Sequence, residues 1–195
     1  MASDKVKFKK WGRWVGTFVG FPLAGVAARG VAGNIDAASA ALIGGLAAGV
    51  VLGTVQAVVG GIDRKVWVRW IGATAAGFAA GLAAGAAAVG YRTDTASLVV
   101  MGAISGAGVG LAQALSIPMR RRDRARWAAA IPALWAGGWL ITSQVIVDTE
   151  RQHAVFGASG ALTVSALAGV LYAIRDRRSQ PAVALAASSS DRVAA

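Results

Sequence analysis

A pattern of small residues occurs twice in this chain, 57 positions apart. Each copy has three glycines at intervals of four and a glutamine three residues later, namely Gly45, Gly49, Gly53 and Gln56, then Gly102, Gly106, Gly110 and Gln113. Small residues at every fourth position of an apolar stretch form a helix face on which a second membrane helix can pack closely. The pattern therefore predicts repeated units of membrane helices.

The composition supports a membrane location. Of the 195 residues 56% are hydrophobic and 15% charged, and the mean hydropathy of +0.57 is high for a soluble domain. Six apolar segments each approach the ~20 residues that cross a bilayer, and they cover residues 14–33, 37–60, 67–90, 95–117, 127–147 and 153–174. We predict an all-α integral membrane protein with six transmembrane helices.

Basic residues set the expected orientation. The net charge of +11 comes from short basic clusters between apolar runs, which is typical of anchors for anionic lipids and not of a nucleic-acid interface. Most of them fall on one side of the predicted spans, while the other side holds only Arg29, Arg92 and Arg151. Positive residues accumulate in the cytoplasm, so both termini are expected there. A multi-pass membrane protein with both termini in the cytoplasm fits this pattern.

The repeats divide the chain into three hairpins. We predict a basic arm at 1–10, units at 11–62, 63–118 and 119–178, and a disordered cytoplasmic tail at 179–195. The third unit is degenerate, because Ala161, Ser165, Gly169 and Tyr172 replace its glycines and glutamine. Units of two spans share one orientation, which predicts a pseudo-threefold axis along the membrane normal.

The glutamines are the main polar groups inside the spans. Gln56 and Gln113 lie on the same helix face as their glycines, so they are expected to face protein. The favoured interpretation is an interhelical hydrogen bond. The alternative is a polar ring of Gln56, Gln113 and Tyr172 around a solute path.

Three aspartates occupy the outer turns. Asp36, Asp94 and Asp148 precede the second helix of each unit, where a carboxylate caps the helix start. The alternative is a set of carboxylates that attracts a cation, against which Arg29 and Arg92 count. Arg29 lies near the outer end of the first span, and we favour snorkelling to the interface over an intramembrane role.

No catalytic constellation is present. The chain has no cysteine, and His153 is its single histidine, so neither a thiol nucleophile nor a metal site is predicted. No cofactor is expected either: Trp135 and Trp139 are interpreted as packing residues, and the five tryptophans near the basic clusters as an interfacial belt. Ser143 and Gln144 have no counterpart in the first two units, so any specialisation of the third unit is expected there.

The tryptophan-bearing start of each hairpin and its Gly-x3-Gly-x2-Gln pattern resemble poorly characterised bacterial membrane proteins built from such hairpins. The resemblance covers Trp11 to Gln113 and implies an inner membrane without an assigned activity. We expect a non-enzymatic scaffold or accessory subunit that packs through its small residues, with other membrane subunits or a second copy as partners. The alternative is a small channel or facilitator along the pseudo-threefold axis, and an enzyme with its site at Asp148 to His153 is the least favoured interpretation.

Overall fold

The computed structural model describes residues 2–145 and 158–176, and this part of the chain contains helices and turns but no strand. The helices are α1 (Ala2–Val15), α2 (Gly20–Ala32), α3 (Ala38–Val58), α4 (Trp67–Ala88), α5 (Thr95–Ser116), α6 (Arg121–Val145) and α7 (Ala158–Asp176). A 3-10 turn, Gly16–Val19, joins α1 to α2, and a second one, Arg64–Val66, precedes α4. The all-helical prediction is confirmed for the described residues.

Four of the described helical segments are long and apolar enough to cross a membrane, namely Phe8–Ala32, Ala38–Val58, Arg64–Ala88 and Thr95–Ser116. Helix α6 is long enough, but five charged side chains in its first six residues lower its apolar character. In α7 the described apolar stretch, Ser159–Ala173, is shorter than a full span. Four of the six predicted spans thus meet the requirements of length and composition.

Two predicted boundaries differ from the structure. The expected basic arm at 1–10 is helical from residue 2, because α1 begins there and continues toward the first span. Helix α6 begins at Arg121, six residues before the predicted span at 127–147, and Pro132 lies inside it without ending it. The expected tail at 179–195 and the third outer turn, with Asp148 and His153, lie outside the described residues.

Glycines with positive φ shape the short connections. Gly33 (φ 67°) ends α2, Gly61 (φ 76°) follows α3 and Gly90 (φ 61°) follows α4. A glycine adopts this left-handed conformation without the steric penalty of a side chain, and it lets the chain reverse directly after a helix. The pairs α2/α3, α3/α4 and α4/α5, which these glycines connect, are therefore antiparallel neighbours.

The helices pack in chain order, and the last one returns to the first. Helix α7 contacts α1, where the indole Nε1 of Trp11 donates to the backbone oxygen of Ala166 at 3.0 Å. The bundle is consequently closed, with the first and last described helices side by side.

The small-residue face of α3 packs on α4. A Cβ atom added at Gly49 would lie 2.5 Å from the Cα of Ala75, and one added at Gly45 would lie 2.8 Å from the Cα of Ala79. These neighbours are backbone atoms, which cannot rotate away as a side chain can. Contact between α3 and α4 at Gly45 and Gly49 thus depends on the absence of a side chain.

The corresponding faces of α5 and α7 also contact other helices of the chain. An added Cβ at Gly106 would lie 3.0 Å from the Cα of Pro132 in α6, and the Cβ at Gly110 would meet Ile131. At Gly169 the added atom would lie 3.2 Å from the Cβ of Trp14 in α1. Ala161 and Ser165 of α7 are buried. The residues predicted for helix packing therefore contact other helices of the same chain.

A further small-residue face was not predicted. Gly77, Gly81 and Gly85 of α4 lie against α5, where an added Cβ at Gly81 would be 2.8 Å from the Cα of Ser105. The signal was present in the sequence, because these glycines have the same spacing of four. Helix α4 consequently approaches both of its neighbours closely. Ala75 and Ala79 face α3, and Gly77, Gly81 and Gly85 face α5.

Candidate functional site

Four helices bring their polar side chains together in the interior. The amide Nε2 of Gln113 donates to Gln56 Oε1 at 2.9 Å and to Thr74 Oγ1 at 3.0 Å. Trp70 Nε1 donates to Gln56 Oε1 at 3.2 Å, and Trp127 Nε1 donates to Gln113 Oε1 at the same distance. The interhelical hydrogen bond expected of the two glutamines is thus formed, within a larger network.

The indoles determine how both amides are oriented. An indole N–H can only donate, so the atom that faces it must be the amide oxygen. Trp70 therefore fixes Oε1 of Gln56, and Trp127 fixes Oε1 of Gln113. With its oxygen held there, the nitrogen of Gln113 faces Gln56 and Thr74, whose hydroxyl in turn donates to the Trp70 carbonyl at 2.8 Å. The direction of each hydrogen bond follows from the two tryptophans.

Three tryptophans form a cluster beside this network. The ring centroids of Trp14, Trp70 and Trp127 lie 5.7 to 6.2 Å apart, and all three pairs meet edge to face or nearly so. The side chains are at most 3% exposed. The prediction of an interfacial belt is wrong for these three residues, because the helices turn them toward the interior.

A second aromatic cluster, on α2, α4 and α6, lies about two turns further along the chain from each of these tryptophans. Trp135 contacts Phe21 at 5.8 Å and Phe78 at 5.0 Å between ring centroids. These rings, like the three tryptophans, are buried. Trp135 and Trp139 also lie against Gly102 and Gly106 of α5, which agrees with their predicted role in packing. Large side chains thus fill the interior on α2, α4 and α6.

A small cavity lies between these aromatic side chains. Its wall includes Gln56, Gln113, Trp14, Trp127 and Ser165, and its space for the centre of a water molecule is about 10 Å³. Ser165 is 2% exposed, and its Oγ has no hydrogen-bond partner among the described residues. Burying a hydroxyl without a partner is unfavourable. Hydrogen bonding is therefore incomplete at this cavity.

Tyr172, the third member of the predicted polar ring, stacks on Trp14 with 4.4 Å between ring centroids. Ser165, one of the predicted packing residues, is the α7 side chain with a polar group at the cavity wall. Gln56 and Gln113 thus meet at a common cavity as the ring required. The polar α7 side chain at that cavity is Ser165, which lies two turns before the predicted residue Tyr172.

The network was only partly visible in the sequence. Thr74, Trp70 and Trp127 were not predicted as partners of the glutamines. A signal existed, because Trp70 follows Gln56 by 14 positions and Trp127 follows Gln113 by the same number. The groups are all neutral, so this arrangement can orient a polar molecule but supplies no charged acid or base.

The outer turns differ from one another. Asp94 caps α5: its carboxylate accepts the backbone N–H of Ser97 at 3.0 Å and the Ser97 hydroxyl at 2.6 Å. Asp36 is exposed, and α3 begins after Ala37, which provides no side-chain cap. Asp148 lies outside the described residues. Within the described ranges no three potential metal ligands come together.

The Asp94 cap should make stability depend on pH. The hydrogen bonds from the Ser97 hydroxyl and backbone lower the pKa of Asp94 below its ordinary value of 3.8. A lowered pKa in the folded state stabilises the protein above the unfolded pKa, and this stabilisation is lost as pH falls through the folded value. We expect the thermal midpoint of the native chain to exceed that of Asp94→Asn at neutral pH and this difference to shrink below about pH 4.

Asp36→Asn is the matched control, because Asp36 caps no helix. Its midpoint should follow that of the native chain from neutral to acid pH. Equal pH profiles for the native chain and Asp94→Asn would contradict the role assigned to the Asp94 carboxylate.

Three other residues that the sequence analysis singled out, Arg29, Ser143 and Gln144, lie at or near the surface. Arg29 is exposed in the last turn of α2, as expected for a side chain that extends to the interface. Ser143 donates to the Leu140 carbonyl of its own helix at 2.8 Å, and Gln144 is exposed. Their neighbour Thr142 is buried, and its Oγ1 has no partner in the described part of the chain.

Arg13 has a structural role that the sequence reasoning missed. Its guanidinium donates to the backbone oxygens of Val59, at 3.1 Å, and Val58, at 3.3 Å. A cation at the end of a helix compensates its free carbonyls and the negative end of its dipole. Arg13 thus connects α1 to the C-terminal end of α3.

No protein-family model matches the chain. No curated protein and no solved structure matches it either.

Proposed function

We propose that this chain is a non-enzymatic polytopic membrane protein that acts as a rigid scaffold or accessory subunit. The main observation that supports this proposal is that the protein's own side chains fill its interior. Two aromatic clusters lie on either side of a cavity of about 10 Å³, and the polar groups around that cavity are neutral. A packed interior of this kind supports a structural role more than turnover of a substrate.

A three-unit arrangement supports this proposal. In the predicted units, the second helix packs its small residues against the first helix of the following unit: Gly49 of α3 on α4, Gly106 of α5 on α6, and Gly169 of α7 on α1. The same type of contact, made three times in a closed order, is what a pseudo-threefold bundle requires. We infer three parallel hairpins around one axis.

The placement of the glycines changes where a partner would bind. The small-residue faces contact helices of the same chain, so a partner subunit would have to use the outward faces. These faces carry apolar side chains such as Leu46, Leu111 and Leu162, which are 51%, 55% and 46% exposed. In a bilayer such side chains contact lipid or another membrane protein.

The basic clusters support the proposed location. With both termini in the cytoplasm, Arg64, Lys65 and Arg69 would lie at the inner surface, where anionic lipids attract them. All three side chains are at least partly accessible. The resemblance to bacterial hairpin proteins favours an inner membrane, with other membrane subunits or a second copy as partners.

Site-specific photocrosslinking in native membranes tests the scaffold. A crosslinking amino acid at position 46, 111 or 162 should yield a discrete protein adduct at one outward face or more. Position 48 is the control, because Ala48 is fully buried in the same helix as Leu46 and should yield none. The proposal would be contradicted if all outward positions gave only lipid adducts and the purified protein were a monomer in detergent.

A small channel is the second candidate, and one observation favours it. Gln56 and Gln113 are hydrogen-bonded to each other at the wall of a common cavity, as a polar constriction would require. The aromatic clusters beside the cavity leave a space of only about 10 Å³. Light scattering of proteoliposomes after an osmotic step separates the two candidates: the scaffold predicts the permeability of empty liposomes, whereas a faster response that Gln56→Leu abolishes would support the channel.

A further inference from the structure

We infer that the cavity beside Gln56 binds one water molecule, which bridges Gln56, Ser165 and Trp14 at the place where the third unit lacks a glutamine. This site goes beyond the proposed scaffold and follows from local hydrogen bonding alone. The comparison between units rests on the proposed three-unit arrangement.

Ser165 provides the first requirement for a bound water. Its side chain is 2% exposed and lines the cavity, yet its hydroxyl has no partner within the described residues. A buried hydroxyl without a partner loses the hydrogen bonds that it had in water, which is unfavourable. A polar molecule in the cavity would restore one of them.

Gln56 provides the second requirement. Both of its hydrogen bonds are made by its oxygen, which accepts from Trp70 and from Gln113. The amide N–H groups of Gln56 donate to no atom of the described chain, although the side chain is only 7% exposed. Because Trp70 fixes the oxygen, this nitrogen cannot be exchanged with it by a flip of the amide. The amide nitrogen of Gln56 can therefore donate to an acceptor in the cavity.

Trp14 provides the third requirement. The equivalent indoles of Trp70 and Trp127 donate to Gln56 and Gln113, each 14 positions earlier in the chain. At the α7 position that corresponds to the two glutamines, the third unit has Tyr172, which stacks on the Trp14 ring. Trp14 lines the same cavity as Gln56 and Ser165. A water oxygen in the cavity could accept from Trp14 as the glutamine oxygens accept from the other two tryptophans.

The size and charge of the site favour water over an ion. The space of about 10 Å³ is at the lower limit for a single water, which needs ~10–15 Å³ measured in this way. The donors of Gln56 and Trp14 disfavour a cation, and no charged side chain lines the cavity to neutralise an anion. A buried water typically makes about three hydrogen bonds, as this site allows.

Nuclear magnetic resonance of the full chain in detergent micelles, with ¹⁵N-labelled tryptophan, tests the site directly. A long-lived water should give a nuclear Overhauser effect at the indole N–H of Trp14, which Trp14→Phe assigns. The indole of Trp70 is the internal control, because Gln56 occupies its N–H, and it should give no such signal.

The variant Ser165→Val should abolish the Trp14 signal, because its two methyl groups occupy the space of the water and remove its hydroxyl partner. A missing signal at Trp14 in the native chain would overturn the inference, and so would an equal signal at Trp70; neither needs a folded variant. A Trp14 indole shift that follows the concentration of KCl would also overturn it, in favour of an ion. None of these results affects the crosslinking test, so the water site and the scaffold are tested independently.

Discussion

Replacing Gly49 with leucine should separate α3 from α4 and lower the free energy of unfolding by about 3 kcal/mol, at the upper end of the usual cost of overfilling a packed contact. The first added carbon would lie 2.5 Å from the Cα of Ala75 and 2.8 Å from the Thr74 carbonyl oxygen. Both atoms belong to the backbone of α4, so the helices themselves must move. The midpoint of thermal unfolding in detergent should fall by about 10 °C.

Gly72→Leu is the matched control for this change. Gly72 lies on α4 with no atom within 4 Å of an added Cβ, so leucine should fit there. Its midpoint should stay within about 3 °C of the native value, since surface changes usually alter stability by less than ~0.5 kcal/mol. Equal midpoints for Gly49→Leu and the native chain would show that the close contact between α3 and α4 does not form.

Replacing Gln113 with methionine should lower the free energy of unfolding by about 2 kcal/mol, because buried partners lose their hydrogen bonds. Methionine has a similar shape, so the change isolates the polar interactions. The Trp127 N–H loses its acceptor, and Gln56 and Thr74 lose the donor at 2.9 and 3.0 Å. Thermal unfolding followed by tryptophan fluorescence measures the loss.

Gln144→Met is the control for Gln113, because Gln144 is the exposed glutamine of α6. The double variant Gln56→Met, Gln113→Met should lose less stability than the sum of the single variants, since the two side chains share one hydrogen bond. Full additivity would indicate that the glutamines do not interact, and would remove the basis of the polar network.

Hydropathy predicted the helices well because it depends on composition along the chain. Four predicted spans are helices of sufficient length and apolar character, and the chain reverses at Gly33, Gly61 and Gly90. The limit of this argument is α6. Its first turns hold arginines that the sequence reasoning assigned to a loop, yet they extend the helix. Helix formation needs only backbone hydrogen bonds, so it can continue beyond the apolar segment.

The spacing of glycines predicted close faces but not the partner of each face. Gly44 and Gly45 are adjacent in sequence, yet an added Cβ at Gly44 would meet Ile35 at 3.0 Å and Ala32 at 3.3 Å, whereas Gly45 faces Ala79 of α4. Periodicity determines which residues share a face of one helix. Which neighbour covers that face depends on how all helices cross, and this information is not local.

The buried tryptophans show the same limit for the candidate site. Trp14, Trp70 and Trp127 stand next to basic residues, and position along the chain predicted an interface. Rotation about the helix axis decides their environment, and it directs them inward, whereas Trp67 remains half-buried and donates to the Ile62 carbonyl at 2.8 Å. The proximity of these tryptophans to basic residues therefore did not indicate that Trp70 and Trp127 donate to Gln56 and Gln113.

The contact between α1 and α7 has a consequence for biosynthesis. Trp11 donates to Ala166, 155 residues later, and Trp14 stacks on Tyr172. While the ribosome is still translating the middle of the chain, the inward faces of α1 remain without their final partner. Insertion of helices into the bilayer can proceed in order from the N terminus, but the tertiary structure closes only after the last helix has left the ribosome. A chain truncated before α7 would expose the surface of α1 that α7 covers, and quality-control proteases of the membrane would have a site to recognise.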